Sequence, residues 1–178
     1  MTHVALLRAV NVAGRNRVDM AELRDVFGGL GLTGVRSLLQ SGNLVFECRD
    51  RAPASLERRL EEAAAGRLGL ATDFFVRSAK EWAGLVSGNP FPREARADPA
   101  RLALFCLKQA PGRDRVLALE GAITGREVMR AAGRHLYVVY PDGMGRSRLT
   151  SVLIERTLGT RGTARNWNTV LKLGALST

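Results

Sequence analysis

Apolar positions fall into short runs of strand length and stretches of helical spacing, divided by polar, glycine-bearing segments. Residues 3–10, His-Val-Ala-Leu-Leu-Arg-Ala-Val, form the first run, and a polar loop over residues 11–17 follows. Asp19 and Glu22 make a capping box, with Val18 and Leu23 at the positions of a hydrophobic staple. They predict a helix running to the stop signal Gly28-Gly29-Leu30-Gly31. Residues 35–39 predict a strand, Ser41-Gly42-Asn43 a tight turn, and residues 44–48 the returning strand of a hairpin. Pro53 suits a first helical position and opens a helix to about Leu68, with Leu56, Leu60 and Ala64 on one face. Residues 71–77 predict a fourth strand.

Ser78 and Glu81 form a second capping box, predicting a connecting helix that stops at Gly88-Asn89-Pro90. Residues 89–100 carry Pro90, Pro92 and Pro99 without periodicity and read as a linker. The same order then repeats. Residues 102–108 predict a strand, Asp114 caps a helix through Leu119, and residues 126–131 predict a strand turning at Gly133 into its partner at 135–140. Gly145 leads into a helix over 146–158, residues 161–165 form a last strand, and a helix over 167–176 follows. The fold class expected is α+β, with two ferredoxin-like βαββαβ halves. The first half is residues 1–78, the connecting helix and linker 79–100, and the second half with its C-terminal helix 101–178.

Composition adds a charge asymmetry. The chain of 178 residues carries 27 Lys and Arg against 17 Asp and Glu, a net of +10, and only three of the cations are lysines. A GC-rich genome accounts for arginine in place of lysine, but not for the net charge. Residues 1–78 hold 11 cations and nine anions, whereas residues 79–178 hold 16 and eight, which favours an anionic partner for the second half. No stretch reaches the ~20 apolar residues of a membrane helix, and the first residues are too short a run for a secretory signal. Cys48 and Cys106 sit in apolar runs as buried small hydrophobes, so a cytoplasmic protein is expected.

Catalytic signatures are absent. His3 and His135 are the only histidines, and neither stands in a triad or metal spacing; HExxH, CxxC and Walker patterns do not occur, and the glycines never fall as GxGxxG after a strand. No metal or cofactor is expected, and an enzyme is left uncertain. Four polar segments stand out instead. Arg8, Asn11 and Arg15 follow the first strand, and Gln40, Ser41 and Asn43 form the hairpin. Gly145, Arg146 and Ser147 run with Arg148 into the first turn of the predicted 146–158 helix, against its macrodipole. Arg165, Asn166, Trp167 and Asn168 open the last helix, with Asn166 as N-cap and Trp167 either a stacking surface or a packing anchor.

"Leu-Leu-Arg-Ala-Val-Asn-Val-Ala-Gly" (6–14), "Gln-Ser-Gly-Asn-Leu-Val-Phe" (40–46), "Asn-Pro-Phe" (89–91), "Gly-Arg-Ser-Arg-Leu" (145–149) and "Arg-Asn-Trp-Asn-Thr-Val-Leu-Lys-Leu" (165–173) together resemble the bacterial "domain of unknown function 1697" family. The likeness runs from His3 to about Leu176. Ala9 and Ala13 replace two glycines of the family loop, and Arg148 stands where the family commonly has Lys. The resemblance implies two intertwined ferredoxin-like halves and no established activity. The leading expectation is a module that binds a phosphate-bearing ligand, nucleic acid or nucleotide, through these loops. Alternatives are a structural or protein-interaction module, or an enzyme acting on a small anionic substrate at the junction of the halves. The oligomeric state is left open.

Overall fold

The computed structural model describes residues 1–8, 17–39, 42–49 and 52–178. Its elements are β1 (Thr2–Leu7), α1 (Met20–Gly29), β2 (Thr33–Ser37), β3 (Asn43–Glu47), α2 (Pro53–Leu68), β4 (Phe74–Ser78) and α3 (Ala79–Ser87). There follow α4 (Pro92–Ala97), a 3₁₀ turn (Pro99–Arg101), β5 (Leu102–Leu107), α5 (Arg113–Gly121), β6 (Val128–Ala132) and β7 (His135–Val139). A second 3₁₀ turn (Met144–Arg146), α6 (Ser151–Leu158), β8 (Gly162–Asn166) and α7 (Trp167–Ser177) complete the chain. The result is mixed α+β, with two four-stranded antiparallel sheets ordered β2-β3-β1-β4 and β6-β7-β5-β8, compatible with two ferredoxin-like halves. The chain divides into two compact units, Met1–Ser87 with Lys172–Thr178, and Gly88–Leu171. The α3 connector and the last seven residues therefore belong to the first unit.

In the first unit, β1 is the central strand, pairing Ala5 with Leu44 of β3 and with Val76 of β4. Alternation sends Ala5, Leu7, Leu44, Phe46, Phe74 and Val76 to one face, where they pack with Leu23 and Phe27 of α1 and Leu56 and Leu60 of α2. The staple residues Val18 and Leu23 are both buried. Asp19 caps α1 by accepting the Ala21 N–H at 2.7 Å. Pro53 is the first residue of α2, as expected. The Ser78–Glu81 box closes in both directions: the Ser78 N–H donates to Glu81 at 2.7 Å, and the Glu81 N–H to Ser78 Oγ at 3.1 Å. The second unit repeats this plan. Phe105, Leu107, Leu136 and Val138 pack with Leu119 of α5 and with Ile154 and Leu158 of α6.

Several boundaries differ from expectation. The 89–100 linker contains α4 and a 3₁₀ turn, because Pro92 and Pro99 each open a helical turn rather than break one. The α5 cap is Gly112, with Asp114 inside the first turn. The largest shift is α6, which starts at Ser151 and not 146. Thr150 caps it by accepting the Leu153 N–H at 3.2 Å, so Arg146 and Arg148 precede the helix and do not oppose its dipole. Cys106 is buried but Cys48 only half-buried, and both are free thiols. No helix among the described residues is long and apolar enough to cross a membrane.

Candidate functional site

Strand register sorts the four polar segments into two pairs. In the first unit, the end of β1 meets the start of β3: the Leu7 N–H donates to the Gly42 carbonyl at 2.8 Å, and the Arg8 N–H to Asp73 at 3.0 Å. Arg8 and Asn43 thus share one end of the first sheet. Asn43 is wholly buried and its Nδ2 donates to the Leu38 carbonyl at 3.0 Å, closing the hairpin. Its amide serves the turn rather than a ligand. Asn11, Arg15, Gln40 and Ser41 lie outside the described residues.

In the second unit, β7 ends beside the start of β5, where the Tyr140 N–H donates to the Arg101 carbonyl at 2.8 Å. There, too, Ala103 pairs with Asn166 at the end of β8. The loop 140–150, the residues entering β5 and β6, and the start of α7 therefore gather at one sheet end. This end is rich in arginine. Arg101 donates its Nε to Asp98 at 3.2 Å and Nη1 to the Pro141 carbonyl. Arg126 forms a two-pronged pair with Asp142. The hydrogen bond and then the charge of Asp142 raise the Arg126 pKa. In return the Arg126 hydrogen bond holds the Asp142 carboxyl below its ordinary value against desolvation, with the charges of Arg126, Arg101 and Arg146 adding.

Ser147 fastens the same loop. Its hydroxyl donates to Glu127 and accepts the Leu149 N–H at 3.0 Å. The buried Tyr140 hydroxyl donates to the Leu149 carbonyl at 3.1 Å. Burial, then the charge of Glu127, raises the Tyr140 pKa. Arg146 and Arg148 are exposed on this fastened loop, and their guanidinium groups make no hydrogen bond to a described residue.

The last segment is mostly committed to structure. Arg165 lies within β8, just ahead of the last helix as expected, and its Nη1 donates to Thr163 Oγ1 at 2.9 Å and to the Ala164 carbonyl at 2.8 Å. Burial pushes its pKa down to about 10, with Cys106 opposing, so the side chain stays charged at neutral pH. Asn166 is the N-cap expected, its Oδ1 accepting the Thr169 N–H at 3.0 Å. Trp167 is buried, its ring centroid 6.2 Å from that of Tyr137, which makes it a packing anchor. Asn168 is exposed and free of hydrogen bonds to described residues. Asn166 is exposed but spends its side chain on the cap, so Gly145, Arg146 and Asn168 are the exposed candidates left uncommitted in this unit, joined by Arg148.

Arg101, Arg126, Glu127 and Asp142 complete this end of the unit and escaped sequence reasoning. Arg126 and Asp142 are 16 residues apart with no pattern linking them. They meet because Val128 pairs with Val139. No group of His, Cys, Asp and Glu able to hold a metal ion occurs among the described residues.

A family model described as "Protein of unknown function (DUF1697)" matches residues 1–137. The structure of the conserved bacterial protein SP0830 from Streptococcus pneumoniae is similar over 99% of this chain and 98% of that one, with a TM-score of 0.78 and 25% identity. No match is found among curated proteins.

Proposed function

This chain belongs to the DUF1697 family of proteins of unknown function, and we infer that it binds a phosphate-bearing ligand through its second unit, nucleic acid in preference to a free nucleotide. The observation that carries the reading is the pair Arg146 and Arg148, exposed on a loop fastened by Arg126–Asp142, Ser147–Glu127 and the Thr150 cap. A loop already held in place has little backbone entropy left to lose when an anion arrives, so only the two side chains are ordered on binding. The wider field agrees. Residues 88–171 carry 14 cations against seven anions, a net of +7, while the remainder carries 13 against ten.

Spread-out charge favours a polyanion. We read the two units as ferredoxin-like halves, and the RNA-binding version of that fold stacks bases on aromatics of its central strands. Here Tyr137 and Trp167 are buried against one another, which leaves phosphate contacts to carry affinity and sequence little part in it. The free thiols Cys48 and Cys106 accord with a reducing cytoplasm, where nucleic acid is at hand.

The test is fluorescence anisotropy of labelled duplex and single-stranded oligonucleotides at several salt concentrations. Binding should weaken steeply with salt, and Arg146→Ala/Arg148→Ala should reduce the duplex log–log slope by up to about 1.8, at ~0.9 for each phosphate no longer neutralised. Affinity that barely changes between low and high salt would sink the nucleic-acid form. An enzyme acting on a small anion is favoured by one observation, the Ser147–Glu127 hydrogen bond. That hydroxyl also accepts a backbone N–H two residues on, as a loop staple does.

A further inference from the structure

We propose that the outer edge of β6 is a docking site for an extended acidic peptide segment, which adds as a fifth strand and seats one apolar side chain in the adjoining cavity. An edge strand leaves half its backbone groups facing away from the sheet, and this protein fills those groups on two of its edges. On β4 the outward N–H groups of Phe74 and Val76 donate to Glu61 and Glu57 at 2.9 and 2.8 Å, and Arg77 donates to the outward Val76 carbonyl at 2.7 Å. On β8 the Gly162 N–H donates to Glu155 at 2.9 Å, and Arg165 covers the Ala164 carbonyl. The β2 edge is broken by a register shift between Thr33 and Arg36, with Gly34 at φ +59.

The β6 edge differs. It pairs in unbroken register from Val128↔Val139 to Ala132↔His135, across the two-residue turn Gly133-Arg134. In that ladder Val128, Arg130 and Ala132 bond to β7, and the N–H groups of Met129 and Ala131 point outward. No described residue accepts from either. Val128, Arg130, Ala131 and Ala132 are exposed. Beside this edge lies a cavity of about 540 Å³ with Phe91, Val128 and Val139 on its apolar wall, and Glu94 and the Asp98–Arg101 pair also lining it, so the acids of an occupant belong toward Arg130 and not inside the cavity. That volume suits one or two apolar side chains, and the open donors suit an added strand.

Charge selects the occupant. The unit carries +7, and Arg130 stands on the edge itself, donating its Nη1 to the outward Met129 carbonyl at 2.8 Å. A second copy paired here in the two-fold register that bonds Met129 to Ala131, which uses both outward donors, would set Arg130 against Arg130, and like charges directly opposite oppose pairing. An acidic side chain instead draws the guanidinium away and uncovers the Met129 acceptor for the new strand. The same interaction recognises the partner and opens the edge.

The probe is the synthetic peptide acetyl-Ser-Glu-Thr-Leu-Thr-Glu-Ser-amide, whose Leu and Glu side chains share one face of a strand as Val128 and Arg130 do, titrated into the ¹⁵N-labelled 178-residue chain. Saturable shifts should centre on the Met129 and Ala131 amides, and their hydrogen exchange should slow. Ala131→Pro removes one outward donor without touching the bonds to β7, and should weaken binding about tenfold. Val128→Asp, a change at an exposed position, should abolish it, and decides the matter if the proline variant misfolds. The same peptide with Lys for each acid should bind far more weakly. Equal affinity for both variants, equal affinity for the lysine peptide, a concentration-dependent dimer through β6, or no shift at millimolar peptide would each overturn the proposal.

Discussion

At the scale of the residue, burial decides what a side chain is able to do. Trp167, Tyr137 and Arg165 have the chemistry of a nucleotide site, yet Trp167 and Tyr137 pack together and Arg165 spends its Nη1 on Thr163 and Ala164. Burial, reinforced by neighbouring Cys106, raises the Tyr137 pKa to about 12. The unfolded phenol titrates near 10. Because the folded value is the higher one, the neutral phenol's contribution is fully present below about pH 10 and is lost as pH rises through about 12, amounting to about 2–3 kcal/mol. Chemical denaturation at pH 9, 10.5 and 12 should therefore show a falling midpoint. Tyr137→Phe should flatten part of that fall, and an unchanged pH profile in the variant would contradict the assignment.

At the scale of the element, helices and strands close one another's open groups. Glu57 and Glu61, one turn apart on α2, accept the outward amides of β4, and Glu57 also lies 3.3 Å from the buried guanidinium of Arg77. Glu155 of α6 plays the part of Glu61 against β8, but four residues earlier stands Ser151, so Arg165 takes Thr163 as a partner. Glu57→Gln should accordingly be costly. It takes the Glu57 charge from beside the buried Arg77 guanidinium, at about 3–5 kcal/mol. The urea unfolding midpoint checks this, and a loss under 1 kcal/mol would show the pair to be solvated. The Asn-Pro-Phe stretch has a similar physical reading: Asn89 Oδ1 accepts the Phe91 N–H at 2.9 Å, and buried Phe91 anchors the start of α4.

At the scale of the whole molecule, charge is distributed unevenly, +7 on residues 88–171 and +3 on the rest. Self-repulsion of that size opposes the compact state and weakens as salt shortens the Debye length from about 30 Å at 0.01 M to about 8 Å at 0.15 M. The thermal midpoint of the free protein should thus rise by a few degrees over that salt range. A nucleic-acid complex should lose affinity over the same range. The two opposite responses separate a charge kept for binding from one offset by the protein's own acids, since the latter would leave both nearly flat.

Local signals were strong enough to be read without tertiary structure wherever they act within a few residues. The Val18–Leu23 staple, the Ser78–Glu81 box, Pro53 at the start of α2 and the Asn166 cap all follow from spacing, and their order carries the α+β class. The start of α6 did not, because Arg146-Ser147-Arg148 carries no breaker, and the Ser147–Glu127 hydrogen bond that fastens the loop ahead of the helix joins residues 20 apart. Nor did the Arg126–Asp142 pair or the open edge of β6, which depend on strand order and register. Periodicity tells which residues are apolar and polar along an element. Which donors remain unsatisfied depends on what folds beside them, and that is settled only when strands far apart in the chain become neighbours.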